Sequence, residues 1–155
     1  MKSNAIASLF QERFCIFNLR SRKKLSALQE MVRHLKTQGR ITDEEFILEM
    51  LKNRESLGST GLGNGVAFPH GRSIAIKELT VLFARSSAGV DFESLDGEPT
   101  HIFFLILAPS EKGAEIYLAL LSELISLVQK PAKLEKMRAV TDFASLVEIL
   151  GADPT

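Results

Sequence analysis

The sequence has few of the features from which disulfide bonds, metal centres or membrane spans are built. A single cysteine, Cys15, excludes an intramolecular disulfide, and no cluster of cysteine and histidine has the spacing of a metal site. The longest apolar run, 102–108, is too short to cross a bilayer. The first residues, MKSNAIASLFQERF, lack the long apolar core of a signal peptide. We therefore expect a soluble cytoplasmic protein without a metal and without membrane insertion.

The chain also has no excess of positive or negative charge. The chain has 19 basic and 19 acidic residues, whereas nucleic-acid and anionic-membrane binders usually carry a net basic field. We therefore expect neither of those partners. A length of 155 residues suits one domain with a full apolar core, and no repeat, low-complexity tract or linker divides it. A single domain over 1–155 is predicted.

Two amphipathic helices are predicted in the first third of the chain. Leucines at helical spacing in SRKKLSALQEMVRHLKTQG, followed by Gly39, indicate a helix over about 21–38. The next segment, ITDEEF, predicts a helix from Asp43 to about Arg54. Its start signals are Thr42 as the N-cap, Glu45 as the partner in a capping box, and Ile41 with Phe46 as a hydrophobic staple.

Apolar segments in the middle of the chain predict strands. They are VAF at 66–68, LTVLFA at 79–84 and IFFLILA at 102–108, the last buried on both faces. Helical spacing returns after Gly113, with Pro131 opening a short helix and Thr141 capping the last one. The first two strands are too close in sequence for a helical crossover between them. The order predicts an α/β three-layer sandwich, a mixed sheet flanked by helices.

Glycines crowd the segment GSTGLGNGVAFPHGR at 58–72. Gly58, Gly61, Gly63 and Gly65 resemble a phosphate-binding loop, yet no Gly-Lys-Ser/Thr follows and a strand comes next in place of a helix. Neither a Walker loop nor a dinucleotide fingerprint fits. Two interpretations stay open: a flexible turn, or a loop whose N–H groups approach and bind an anion.

One histidine, His70, stands in a setting that suits a nucleophile. Pro69 fixes a backbone torsion before it, and Gly71 leaves open space after it. No serine or cysteine lies at the spacing that would make this histidine a base for another nucleophile. Direct attack on a phosphoryl group is the chemistry that remains, because neutral imidazole is nucleophilic near pH 7. His34 and His101 are interpreted as structural residues.

The stretch RESLGSTGLGNGVAFPHG resembles the active-site segment of the mannitol/fructose type of enzyme IIA in the bacterial sugar phosphotransferase system. Its STG-x-G-N-G spelling is most similar to the nitrogen-regulatory branch. The resemblance extends to ITDEEF, GVDFESLDGEP and LALLSELISLV. It implies an α/β sandwich around a mixed sheet of about five strands. It also implies that His70 accepts phosphate from a histidine-containing phosphocarrier protein, on the ring nitrogen remote from the backbone, without a cofactor.

The same resemblance implies further site residues. Arg54 matches an arginine near the phosphorylated histidine, although a solvated charge at a helix end is the alternative. The phosphate-binding candidates are the hydroxyl residues Ser59 and Thr60, which donate to phosphate or shape the turn, and the loop residues Gly61, Gly63, Asn64 and Gly65. Asn64 favours the regulatory branch, because sugar-transporting members often have an acidic residue there.

One position departs from the family pattern. Members commonly carry a second histidine at the start of the long helix, where this chain has Tyr117, its only tyrosine. A phenol donates one hydrogen bond but carries no charge near neutral pH, so Tyr117 either orients a phosphoryl oxygen or only packs.

Two classes of function therefore remain. In the first, the chain is a phosphotransferase component that passes phosphate to a IIB domain or to a regulatory target, or signals by its phosphorylation state. The IIA component of a fructose/mannitol-type sugar permease belongs to the same class. In the second, the chain is a weakly phosphorylated or unphosphorylated binding module that regulates a kinase, a transporter or another protein.

Overall fold

A computed structural model describes residues 3–151 of the chain, so the two ends of the predicted domain 1–155 lie outside the described residues. The helices are α1 Ser3–Ala7, α2 Lys24–Thr37, α3 Glu44–Ser56, α4 Ala114–Val128, α5 Pro131–Arg138 and α6 Phe143–Gly151. The strands are β1 Cys15–Ile16, β2 Gly61–Gly63, β3 Val66–Ala67, β4 His70–Ser73, β5 Thr80–Val90 and β6 Thr100–Pro109. Among these helices none has both the length and the apolar character needed to span a membrane.

The strands form one sheet in the order β1-β5-β6-β3-β2, and β4 also pairs with β6. The sheet is mixed, as predicted, because β5 is antiparallel to β6 whereas β3 and β4 are parallel to it. It has six strands, against about five expected. The sequence patterns miss β1, β2 and β4, which have only two to four residues each and are too short to show a period.

Helices cover both faces of the sheet. Along β6, Ile102, Phe104 and Ile106 pack into the same apolar cluster as α1, α4, α5 and α6. The alternate residues Phe103 and Leu105 pack into the cluster that contains α2 and α3. Successive side chains of a strand point to opposite faces, so a continuous apolar run is required where both faces are covered. The predicted three-layer sandwich and its doubly buried strand are therefore confirmed.

Two helix starts differ by one residue from the prediction. Asp43, not Thr42, caps α3, because its carboxylate accepts a hydrogen bond from the backbone N–H of Phe46 at 3.0 Å. Likewise Asp142, not Thr141, caps α6 by accepting from the N–H of Ser145 at 2.8 Å. In both Thr-Asp pairs the stronger, charged acceptor takes the capping position.

The expected hydrophobic staple at the start of α3 is also wrong. Phe46 is 48% exposed, whereas Ile41 is buried in the core together with Ile47. With Asp43 as the N-cap, Ile47 rather than Phe46 occupies the fourth helical position, so the inward-facing residue shifts by one.

A tight turn of Asn64 and Gly65 joins β2 to β3. Both residues have positive φ, 58° and 78°, which is the geometry of a two-residue type I′ hairpin turn. Gly63 pairs with Val66 across this turn. The glycine-rich segment is therefore partly a β-hairpin.

A buried ionic contact ties this hairpin to the helices. The carboxylate of Glu55, near the end of α3, forms an ion pair with the ammonium of Lys24, whose Nζ lies 2.8 Å from Glu55 Oε1. It also accepts hydrogen bonds from the backbone N–H of Thr60, at 3.0 Å, and from the Thr60 hydroxyl. Glu55 and Thr60 are both buried, so each of these donors compensates the loss of water around the carboxylate.

The variant Thr60→Val is expected to lower the free energy of unfolding by about 1–3 kcal/mol, because it keeps the side chain's shape but removes a donor from a buried carboxylate. Thr42→Val at an exposed position is the matched control, with an expected change within about 0.5 kcal/mol. Urea unfolding measures both. Equal losses in the two variants would contradict the role of the Thr60 hydroxyl.

Candidate functional site

The site forms where one strand of the sheet is interrupted. Ala67 pairs with Phe103 and His70 pairs with Ile106, so β3 and β4 are two parts of a single line of pairing along β6. Between them, the N–H of Phe68 donates to the carbonyl of Thr60, and Pro69 has no N–H to donate. The carbonyl of Pro69 still accepts from the N–H of Ile106 in β6 at 2.9 Å, so the interruption before His70 lies on the side of the strand away from β6.

This interruption orients the imidazole of His70. Its Nδ1 lies 2.7 Å from the carbonyl oxygen of Phe68. A carbonyl oxygen can only accept a hydrogen bond, so Nδ1 carries the hydrogen and Nε2 presents its lone pair. Nε2 is the ring nitrogen remote from the backbone. The half-buried ring is therefore in the tautomer that a nucleophilic Nε2 requires.

Tyr117 lies beside His70. It occupies the first turns of α4, is 7% exposed, and its ring centroid is 6.2 Å from that of His70. Burial raises the pKa of the Tyr117 phenol, and the nearby positive charges of Arg72 and Arg54 partly oppose that rise. The phenol is thus neutral at physiological pH, which leaves its O–H able to donate one hydrogen bond.

Arg54 reaches the site from the last turn of α3. Its Nη1 donates to the carbonyl of Gly58 at 2.9 Å. One turn earlier on the same helix, Met50 packs against β4 at Gly71, where a Cβ atom would lie only 2.7 Å from the Met50 Cε. The absence of a side chain at Gly71 therefore allows the helix that carries Arg54 to approach the strand that carries His70.

Arg72 is a site residue that the sequence analysis missed. Its Nε and Nη2 each donate at 3.1 Å, to the carbonyls of Pro109 and Ser110 respectively. Its guanidinium carbon lies 5.8 Å from the centroid of the Tyr117 ring. The available signal was its position two residues after His70, which places both side chains on one face of a strand. The sequence did not indicate that this segment was a strand.

Neither arginine of the site is neutralised by an acid. Among residues 3–151, ion pairs join for example Lys24 to Glu55 and Arg40 to Glu78, and neither Arg54 nor Arg72 pairs with a carboxylate. Both guanidiniums donate to backbone carbonyls instead. Two positive charges thus remain uncompensated near Tyr117 and His70, an arrangement that favours an anion.

The predicted loop residues divide into two groups. Ser59 and Thr60 lie next to the interrupted strand, but their hydroxyls donate to the Phe92 carbonyl and to Glu55. Gly61 pairs with Ala67 and closely approaches the backbone of Ser94.

The second group is the turn at the end of the hairpin. Gly63 pairs with Val66, and Val66 pairs with Ile102, four residues along β6 from the partner of His70. The structure therefore separates Gly63, Asn64 and Gly65 from His70 by about 13 Å along the strand. Asn64 instead donates its N–H to Asp96 at 3.1 Å.

The two other histidines hydrogen-bond to backbone carbonyls in different parts of the fold. His34 Nε2 lies 2.8 Å from the carbonyl of Arg13, and His101 Nδ1 lies 2.8 Å from that of Ser86. Of the three histidines, His70 is the one placed beside Tyr117 and Arg72.

The chain matches a protein-family model described as "Phosphoenolpyruvate-dependent sugar phosphotransferase system, EIIA 2" over residues 8–152. The nitrogen regulatory protein of Bradyrhizobium diazoefficiens is 36% identical over 137 residues, 88% of each chain. The fructose-specific EIIABC component of Bacillus subtilis is 32% identical over 145 residues, which are 94% of this chain but only 23% of that protein.

Comparison with solved structures indicates the same family relationship. The crystal structure of the nitrogen regulatory protein IIA-Ntr from Neisseria meningitidis superimposes with a TM-score of 0.86 at 29% identity, covering 94% of this chain and 99% of that one. The matched range, residues 8–152, contains His70, Arg54, Arg72 and Tyr117. The chain therefore belongs to the EIIA type 2 family of the phosphoenolpyruvate-dependent sugar phosphotransferase system, whose chemistry is phosphoryl transfer.

Proposed function

We propose that this protein is a phosphoryl carrier that accepts a phosphoryl group on Nε2 of His70 from a histidine-containing phosphocarrier protein. The observation that carries the proposal is the hydrogen bond between Nδ1 and the Phe68 carbonyl, which leaves the Nε2 lone pair available. The uncompensated charges of Arg54 and Arg72 support it, because phosphoryl oxygens are anionic.

The transfer step needs no cofactor. The Nε2 lone pair of His70 forms a bond to phosphorus while the donor's N–P bond breaks, and those electrons return to the donor's imidazole nitrogen. In the neutral ring no proton has to leave Nε2, because the ring hydrogen is on Nδ1. Positive charge develops on the His70 ring as the bond forms, and the Phe68 carbonyl dipole stabilises it through Nδ1–H.

Each neighbouring residue has a role in this proposal. Arg54 binds phosphoryl oxygens from α3, and Tyr117 donates its O–H to the same group from α4. Ser59 and Thr60 act indirectly, because the hydrogen bonds of their hydroxyls fix the loop. In that loop the carbonyl of Thr60 accepts a hydrogen bond from the N–H of Phe68. Gly63, Asn64 and Gly65 shape the hairpin.

The partner downstream is a IIB domain or a regulatory target. One relative is a fructose-specific protein whose name joins A, B and C components, and another is a nitrogen regulatory protein. Tyr117 favours the regulatory alternative, because a neutral phenol contributes less to phosphate binding than a charged imidazolium. The separate alternative is a binding module, which regulates a kinase, a transporter or another partner by docking, with weak phosphorylation or none.

Phosphorylation is expected on His70 alone. Incubation with phosphoenolpyruvate and the general phosphotransferase components should add the mass of one phosphoryl group to the parent chain and none to His70→Gln. His34→Gln, a change at another carbonyl-bonded histidine, is the matched control and should behave like the parent. Intact-mass spectrometry at neutral pH reads all three proteins. A phosphoryl group on His70→Gln would exclude His70 as the acceptor, and an unmodified parent would favour the binding module.

Removal of the Tyr117 hydroxyl is expected to slow phosphoryl acceptance about tenfold or more, because a hydrogen bond to a charged group contributes about 1.5–3 kcal/mol. Tyr117→Phe keeps the buried ring, so its unfolding midpoint in urea should stay close to the parent's. Tyr117→His should restore or raise the rate, since imidazolium adds a positive charge. Rates that do not change in either variant would show that Tyr117 only packs.

A further inference from the structure

We propose that Arg72 is a second phosphoryl-binding residue of the site, acting with Arg54 on the group carried by His70. This inference rests on the proposed function. It adds a cation from β4 to the one from α3, and it explains how a site with a neutral phenol at 117 supplies enough positive charge.

The strand geometry places Arg72 on the same face of β4 as His70. His70 and Arg72 are two residues apart in β4, paired with Ile106 and Ala108 of β6 in unbroken register. Side chains at this spacing leave a strand on the same face. Gly71, between them, faces α3 and Met50 on the other side of the sheet. Both functional side chains therefore point toward α4, where Tyr117 lies.

The guanidinium of Arg72 is fixed in position but not neutralised. Its hydrogen bonds to the carbonyls of Pro109 and Ser110 use two of its five N–H groups. The others include N–H groups suited to anionic oxygens, and no carboxylate among residues 3–151 forms an ion pair with it. A fixed cation loses little side-chain entropy when it binds an anion, which favours binding.

Tyr117 connects Arg72 to the acceptor histidine. Its ring centroid is 6.2 Å from that of His70, and the Arg72 guanidinium carbon is 5.8 Å from the same ring. The positive charges of Arg72 and, to a lesser extent, Arg54 both favour the ionised phenol and so oppose the rise in the pKa of Tyr117 caused by burial. A dianionic phosphoryl group on His70 would be stabilised by both charges.

The first experiment compares phosphoryl acceptance in three variants of the full chain. Arg72→Gln should slow acceptance about tenfold or more, and Arg72→Lys, which keeps the charge, should recover part of the rate. Arg85→Gln is the matched control, because Arg85 also donates to two backbone carbonyls, those of Arg138 and Phe17. Arg85 pairs with Ile102, about 13 Å along β6 from the partner of His70. Its rate should equal the parent's.

The phosphoryl donor separates binding of phosphate from docking of the carrier protein. Phosphoramidate transfers its phosphoryl group to histidine with release of ammonia and has no protein surface. Arg72→Gln should be slowed with phosphoramidate as well as with the phosphocarrier protein. A loss with the carrier protein alone would overturn the proposal and assign Arg72 to docking. A parent chain that is not phosphorylated on His70 would overturn the proposed function and this inference together.

A second readout does not depend on phosphorylation. Tyr117 is the only tyrosine and the chain has no tryptophan, so tyrosinate absorbance at alkaline pH reports this phenol alone. Because a nearby cation stabilises phenolate, Arg72→Gln should raise the pKa of Tyr117 further, whereas Arg85→Gln should leave it unchanged. If the parent is phosphorylated but Arg72→Gln matches Arg85→Gln in rate and titration, the role of Arg72 is overturned and that of His70 stands.

Discussion

The hydrogen bond from Nδ1 of His70 to the carbonyl of Phe68 determines what this site can do. In the neutral ring it selects the tautomer with the hydrogen on Nδ1, orients the ring and leaves the lone pair on Nε2. The bond is possible because of how β3 and β4 share one register along β6. The carbonyl of Pro69 accepts from the N–H of Ile106 in β6, whereas Phe68 donates its N–H to Thr60 on the opposite side, so the Phe68 carbonyl faces away from β6 and is available to the imidazole. Thr60, at the start of the β2–β3 hairpin, donates two hydrogen bonds to the buried carboxylate of Glu55, which fixes the hairpin beside this part of the strand.

The site is assembled from both layers of helices. The sheet is a single layer, so helices on its two faces approach the same residues at its edge. Alternation along β4 sends His70 and Arg72 toward Tyr117 on α4, and Gly71 toward α3, which carries Arg54. The charges of Arg54 on α3 and Arg72 on β4 therefore both act on the Tyr117 phenol. Carbonyl partners position these charges without cancelling them.

Local patterns predicted most of the architecture. The doubly apolar segment IFFLILA required cover on both faces, and it is the central strand of the three-layer sandwich. The starts of α3 and α6 were predicted to within one residue, whereas α2 begins at Lys24, about three residues after its predicted start near 21. The errors at Thr42 and Thr141 share a cause: an aspartate follows each threonine and is the stronger acceptor. The Asn64-Gly65 dipeptide is a strong hairpin signal, but the segment was left open between a flexible turn and an anion-binding loop, because the surrounding glycines concealed the preceding strand β2.

By itself, the sequence determined the fold class and the family resemblance and singled out His70 for the proposed role, because these depend on periodicity and on a Pro-His-Gly step that are local in the chain. Only the tertiary structure decided which residues surround His70. The Asn64-Gly65 turn lies away from His70, and Arg72 lies on the same face of the strand as His70. Both placements depend on strand register and side-chain direction, which are set by pairing with β6, some 36 residues later in the chain. The tertiary structure also gave Ser59 and Thr60 internal partners that no spacing could indicate. Long-range hydrogen bonding, not composition, decides which polar groups remain available to a ligand.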